Sequence, residues 1–288
     1  MEYVLEVKGF TKKLPDSQFS LKNITFNIPK GAVVGFIGEN GAGKTTTMRT
    51  IIGALKKDHG EIKIFGKDYT YKKDDLKEQI GIVFDRMNFP YQLNVLQLSR
   101  VLGNIYRHWD NNEFFKYIDL FSLPKQQKIG KFSRGMSMKL SIATALSYHA
   151  QLLLLDEPTS GLDPASRYKI LKILLDYVKK TKASILLSTH ITSDIEKIAD
   201  YLLFIKSGEI ILNVKKEELY RRFAIIECDR EDIKGFRNNV LAYKFKDDTH
   251  NTRIEALVTD HENIPDQFSQ KNFLIEDIVL LLMNGERL

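Results

Sequence analysis

Three short stretches of this sequence carry residue types that could act together on a phosphate ester. Gly38 to Thr45 reads GENGAGKT, a glycine-rich turn ending in a lysine and a hydroxyl. The spacing G-x-x-x-x-G-K-T lets backbone amides curl inward around phosphate oxygens. Lys44 is placed to reach the outer phosphates of a nucleotide, and the Thr45 hydroxyl to ligate Mg²⁺. Gly38, Asn40, Gly41, Ala42, Gly43 and Thr46 complete the candidate cradle. The second stretch, Leu152 to Pro158, reads LLLLDEP, an apolar run ending in two carboxylates. Asp156 falls at the strand's C-terminal end, where open α/β sheets bind ligands, and is expected to hold the magnesium shell. Glu157 is the candidate for orienting or deprotonating an attacking water. The third is His190, which follows the apolar Ile185–Leu187 and is a candidate for contacting and sensing the terminal phosphate.

These residues need elements to hold them. Tyr3–Val7 and Leu21–Ile28 alternate apolar and polar residues, as half-buried strands do. Ala32–Ile37 is apolar throughout, which suits a strand covered on both faces, and a helical segment follows the glycine-rich turn to about Ala54. Glu61–Phe65, Ile80–Phe84, Ser184–Leu187 and Tyr201–Ile205 read as further strands. From about Asn94 to Lys182 the pattern is mostly helical, interrupted by Leu152–Leu155. Asp163-Pro164 is an N-cap followed by proline at the first helical position. Ser133 is another N-cap, opening a helix with Met136, Leu140, Ala143 and Leu146 on one face. Strands alternating with helices predict a P-loop α/β core with a parallel sheet. After about Lys216 the texture changes to short strands at Phe223–Cys228, Leu241–Phe245 and Arg253–Val258, then a helix at Ile275–Met283. The expected organisation is a P-loop α/β domain over 1–215, with antiparallel strands at its start and helices over about 86–150, the positions of an antiparallel β subdomain and a helical subdomain. A small C-terminal α+β appendage would follow over 216–288.

The composition allows this. The chain has 288 residues, 43% of them hydrophobic, enough to bury a large core. No apolar run approaches the roughly 18 residues that span a bilayer, so any work at a membrane would borrow a partner's spanning segments. The opening MEYVLEVKGF lacks a basic segment followed by an apolar one, so no secretory leader is expected. The single cysteine, Cys228, suits a reducing compartment and excludes an internal disulfide. The net charge is +6, but the lysines are scattered. That distribution fits a solvated surface with mild attraction to an anionic leaflet, and no nucleic-acid partner is expected.

With these motifs in this order, the chain resembles the ATP-binding-cassette ATPases over roughly Met1 to Val214. The family carries a Walker A motif, a glutamine loop, a signature motif, a Walker B motif with a catalytic glutamate, a D-loop and a switch histidine. Here these fall on GENGAGKT, Phe84-Asp85, FSRGM (Phe132–Met136), LLLLDEP, Ser160-Gly161-Leu162-Asp163 and His190. A generic P-loop kinase or GTPase lacks a signature motif just upstream of the Walker B strand. The resemblance implies ATP and Mg²⁺ as cofactors and a head-to-tail dimer with two ATP molecules at its interface. Ser133, Arg134 and Gly135 of one subunit would face the γ-phosphate held by the other's Walker A. Asp85 would contact the magnesium or the water, beside Glu157 and His190. A separate transmembrane permease is implied as partner, together with a homodimer or a heterodimer with a second ATPase, at the cytoplasmic face of the membrane.

The chain departs from the family pattern in three places. The usual signature is LSGGQ, whereas Arg134 replaces the first glycine and Met136 the glutamine. Arginine brings a positive fork that suits phosphate, and a weakened site would instead point to a heterodimer. Asp85 stands where the family has glutamine and reaches one methylene less far. The adenine-stacking aromatic is replaced by Leu14, with Phe10 and Phe19 as alternatives. GIVFD combined with FSRGM resembles a branch of Gram-positive exporters of antibiotics, bacteriocins or amphipathic peptide toxins, the phenol-soluble modulin exporters among them. In the family the segment from Asp85 to Asp110 forms a groove for the permease's coupling helix, which makes Phe89, Tyr91, Tyr106 and Trp109 candidate contacts. Two other readings remain: a soluble cassette ATPase acting on ribosomes or DNA, and a sensor or immunity module. A single cassette without a sustained heptad run argues against the first, and the motifs do not separate the second from export.

Overall fold

A computed structural model describes residues 2–15, 18–69, 74–85, 89–232, 239–246, 253–259, 264 and 268–286. Strand β1 (Tyr3–Lys13) pairs antiparallel with β2 (Ser20–Pro29). Leu5, Val7 and Phe10 from β1 and Ile24, Phe26 and Ile28 from β2 are buried, as alternation in a one-faced sheet requires. Next come β3 (Val33–Ile37) and α1 (Lys44–Ile51). Strands β4 (His59–Ile64) and β5 (Lys67–Asp68) complete an antiparallel sheet in the order β2-β1-β4-β5. The short α2 (Asp74–Lys77) leads into β6 (Ile80–Val83). Three helices follow, α3 (Val95–Ile105), α4 (Asn111–Leu120) and α5 (Arg134–Leu146). The chain then returns through β7 (Leu152–Asp156), α6 (Pro164–Thr181), β8 (Ser184–Ser188), α7 (Thr192–Ile198), β9 (Tyr201–Lys206) and β10 (Glu209–Lys215).

The second sheet has the order β10-β9-β3-β8-β7-β6, parallel except for the β9–β10 hairpin. Strands β3, β7 and β8 are buried at every position, so they show continuous apolar runs in place of alternation. Their two faces feed two cores. Val34, Phe36, Leu154 and Leu186 pack toward the antiparallel sheet, while Val33, Leu153, Leu155 and Leu187 pack toward the helices. In the register, Phe36 and Asp156 both pair with Ser188, so these three strands end level along one edge.

The remaining elements are α8 (Lys216–Arg222), β11 (Phe223–Asp229), β12 (Val240–Phe245), β13 (Arg253–Thr259), β14 (Ser269–Lys271) and α9 (Ile275–Asn284). Their strands form a third, antiparallel sheet in the order β12-β13-β11-β14. One face has its own small core around Ile226, Ile254 and Phe268, while Ile225, Leu257, Ile275 and Leu281 join the helix-side core of the rest of the chain.

Apart from short elements such as β5, α7, α8 and β14 that the sequence reading did not mark, some features differ from it. Strand β10 was not expected, because most of its residues are half-buried and show no clean alternation. The aromatic segment after Asp85 is mostly interior: Phe89 is buried, Trp109 packs against the helix-side core, and Tyr106 stacks on Tyr148 at 4.2 Å. Among the four aromatics only Tyr91 is exposed, joined by Val101 and Ile105 on the outer face of α3. Finally, Phe10 is fully buried in the β1–β2 core, so it cannot stack on a nucleotide base.

Candidate active site

The glycine-rich loop follows β3 at the level edge, and α1 begins at Lys44 with no acidic residue in its first turn. The opening amides of a helix have no intrahelical partner and carry partial positive charge. Gly43 has φ 113° and sits so close to Leu21 and Phe19 that an added Cβ would lie 2.5 and 2.9 Å from them. Glycine is needed there for both the backbone angle and the close approach. The loop is fastened from outside by the Ser207-Gly208 turn between β9 and β10, where both residues have positive φ. The Gly208 amide donates to the Ala42 carbonyl (3.0 Å), and the Gly208 carbonyl accepts from the Lys22 amide (2.8 Å).

Lys44 is buried, and its ammonium donates to the carbonyls of Gly38 (2.6 Å) and Glu39 (3.0 Å). Burial pulls its pKa below the ordinary lysine value, and the charges of Glu157, Asp156 and Glu39 work against that pull. Asp156, also buried, ends β7. One of its oxygens accepts from the Thr45 hydroxyl at 2.6 Å and the other from the Ser188 hydroxyl. Hard oxygen donors set side by side in this way suit Mg²⁺, which takes one or two protein oxygens and fills its remaining positions with phosphate and water.

Glu157 follows in a left-handed conformation, φ 53°, which is uncommon for a residue with a side chain. Its amide donates to the Ser188 carbonyl (3.0 Å). His190 Nδ1 donates to Glu157 Oε2 at 2.8 Å, while Oε1 is buried without a partner among the described residues. Burial raises the Glu157 pKa above its ordinary value, and His190 and Lys44 act in the opposite direction. A cleft of about 370 Å³ has Leu14, Phe19, Asn40, Gly41, Gly43, Lys44, Thr45, Thr46, Asp156 and Glu157 among its walls; His190 is joined to it through Glu157, and Gly38 and Ala42 of the loop do not line it. Of the two aromatic alternatives for base stacking, Phe19 is the one that reaches this cleft.

The other predicted residues lie elsewhere. Ser133 caps α5 by accepting from the Met136 amide (3.2 Å), Arg134 opens that helix, and Gly135 packs close to Leu162. None of the three lines the cleft. Asp85 does not line it either. Arg134 Nε donates to Asp85 Oδ1 at 3.0 Å, and Nη2 donates to the same oxygen. An arginine fork beside a carboxylate captures it, so Asp85 stands paired with Arg134. The two main departures from the family pattern are thus partners. Sequence reasoning missed Ser188, although a hydroxyl closing an apolar strand beside the carboxylate strand was a usable signal.

The comparisons with known proteins follow the same lines. The sequence profile described as ABC transporter matches residues 21–160. The bacitracin transport ATP-binding protein BcrA of Bacillus licheniformis is 32% identical over 224 residues, covering 77% of this chain and 73% of that protein. The structure of cbiO1 from Clostridium perfringens, part of the ABC transporter complex cbiONQ, matches with a TM-score of 0.65 and 28% identity, covering 77% of this chain and 92% of the other. A dimeric ATP-binding cassette in a post-hydrolysis state bound to ADP and Pi matches with a TM-score of 0.65 and 25% identity, covering 73% and 98%.

Two outcomes follow from this geometry. The pair Asp85–Arg134 is half-exposed, so a double-mutant cycle with alanine, read by urea unfolding, is expected to give a coupling of about 0.2–1 kcal/mol. Glu157 has a raised folded pKa, so above the ordinary carboxylate range the fold must hold a charge that burial disfavours. Glu157→Gln is therefore expected to raise the melting temperature at pH 7. The gain should shrink as pH falls through the raised folded pKa and be gone below about 4, where the carboxyl is protonated in both the folded and the unfolded chain. Melting curves across that range check it, and an unchanged difference would count against the buried charge.

Proposed function

This chain belongs to the ABC transporter family as an ATP-binding subunit that hydrolyses ATP, and on that premise we propose that it powers a separate membrane permease exporting amphipathic peptides or antimicrobials. Residues 1–215 act as the cassette and 216–288 as an accessory unit. The loop amides and Lys44 hold the β- and γ-phosphates, and Phe19 lies against the base. Thr45 and Asp156 would hold Mg²⁺, which would supply neutralisation of charge on the phosphate oxygens. The observation that carries the catalytic reading is the buried Oε1 of Glu157, one residue beyond Asp156, which has no partner among the described residues. Glu157 orients a water there and takes its proton as the water oxygen bonds to the γ-phosphorus. The bond from that phosphorus to the bridging oxygen breaks, leaving ADP and phosphate. His190 steadies Glu157 through Oε2 and faces the terminal phosphate.

Ser133, Arg134 and Gly135 lie outside the cleft of their own chain, which fits a head-to-tail dimer in which they meet the partner's γ-phosphate. The partner is a second copy or a different ATPase. The exposed Ile105 lines a mostly apolar cavity of about 560 Å³ together with Ile82, Tyr106 and Tyr148, a surface suited to an amphipathic permease helix. Among the described residues no helix is long and apolar enough to cross a membrane. In this reading the chain acts from the cytoplasmic face, through its partner. The likeness to BcrA, a bacitracin transport protein, supports export of an amphipathic peptide-like substrate.

Glu157→Gln is expected to bind ATP but lose turnover by about 10²-fold or more, and to accumulate as a closed dimer. Gel filtration at saturating ATP checks this. A variant that stays monomeric there contradicts the dimer reading.

A further inference from the structure

Helix α7 stands between the reacting pair and the C-terminal unit, and it is held from both sides. It starts two residues after His190. Facing the site, the buried Asp194 accepts from the Thr159 hydroxyl (2.7 Å) and from Arg167 Nη2 (2.7 Å). Thr159 lies two residues beyond Glu157. Facing the other way, Glu196 Oε1 accepts both the Tyr220 hydroxyl (2.7 Å) and the Ile275 amide (2.9 Å). The Glu196 carbonyl accepts from Lys216 Nζ at 2.9 Å.

These contacts answer a need of α9. A helix N-terminus presents amides without intrahelical partners, and the capping position of α9 is Leu274, whose side chain has no acceptor. Glu196 supplies the missing acceptor from another element, with its negative charge at the positive end of the helix. The amide of Leu274 itself is taken by Asp277 (2.9 Å). Apolar packing continues the same link, because Ile195 and Ile198 of α7 share one core with Ile275 and Ile278 of α9. Tyr220 stacks on Phe273, just before α9, with ring centres 5.5 Å apart.

The geometry points to Glu196 and Tyr220 as positioning residues for ATP hydrolysis: through them the C-terminal unit fixes α7, and with it the geometry in which His190 holds Glu157. The two ends of this seven-residue helix cannot move independently. Asp194 fastens it to the segment after Glu157, Glu196 fastens it to α8 and α9, and His190 lies at its entrance. The assignment rests on Glu157 and His190 being the reacting pair, as proposed above.

Steady-state ATPase of the full chain tests it, with Glu196→Ala, Glu196→Gln and Tyr220→Phe measured beside Glu157→Gln, and amide exchange followed over residues 190–198. Glu196→Ala is expected to lower kcat by about fivefold or more, in the range that coupling through a second element produces. KM for ATP should stay within about twofold, and exchange over 190–198 should speed up. Glu196→Gln keeps an oxygen acceptor and is expected to recover most of the rate. Tyr220→Phe, which removes one hydroxyl, should lower kcat by about twofold and decides the matter if Glu196→Ala fails to fold. Parental kcat in both Glu196→Ala and Tyr220→Phe overturns the assignment. So does a loss of kcat in proportion to a global fall in melting temperature, without local change in exchange. If Glu157→Gln hydrolyses ATP at the parental rate, the reacting pair is misassigned and the positioning role falls with it. If Glu157→Gln is inactive while Glu196→Ala and Tyr220→Phe are both unaffected, only the positioning role is lost.

Discussion

One buried carboxylate organises the site. Asp156 takes a hydroxyl on each oxygen, Thr45 from the start of α1 and Ser188 from the end of β8. A carboxylate in an apolar interior is costly unless its oxygens are bonded, so this position demands that the glycine-rich loop and both strand ends meet there. The parallel register makes that meeting possible by ending β3, β7 and β8 at one level. The lysine beside it is buried for the same reason. Its charge costs solvation, and the nearby carboxylates of Glu157 and Asp156 offset part of the loss. The site is a compact set of opposite charges held away from water, ready to accept the larger charge of a triphosphate.

The rest of the architecture serves this edge. Because β3, β7 and β8 are apolar on both faces, they support a β-rich core on one side and a helical core on the other. The antiparallel sheet brings Phe19 to the cleft, and the β9–β10 turn secures the loop at Ala42. The helical side carries Ser133, Arg134 and Gly135 on the leading end of α5, away from the chain's own cleft. In the head-to-tail dimer proposed above, that separation would bring them to the partner's nucleotide.

Much of this was legible in the residues, because the chemistry is local in sequence. The glycine-rich loop, the strand-end carboxylates and the proline-led start of α6 each declare themselves within a few positions. Asp163 accepts from the Ser166 amide at 2.9 Å, as its capping position foretold. What was not legible depends on pairing across the fold. Arg134 and Asp85 lie 49 residues apart, and nothing in either neighbourhood shows that they meet. Phe10 and Phe19 look equivalent in the sequence, yet register buries one in the sheet core and brings the other to the cleft. The aromatics around Trp109 read as a surface cluster, but stacking of Tyr106 on Tyr148 draws them inward. Ser188 was signalled by its place at the end of an apolar strand, but its bond to Asp156 follows from the register of β7 beside β8.

The most direct test of the account is calorimetric titration of ATP with magnesium into the parent chain and into Lys44→Ala. The parent is expected to bind with measurable heat, and the variant, lacking the buried cation of the loop, to bind at least about tenfold more weakly. Equal affinity in the two proteins, or no heat from either, would contradict the placement of the nucleotide at this edge of the sheet.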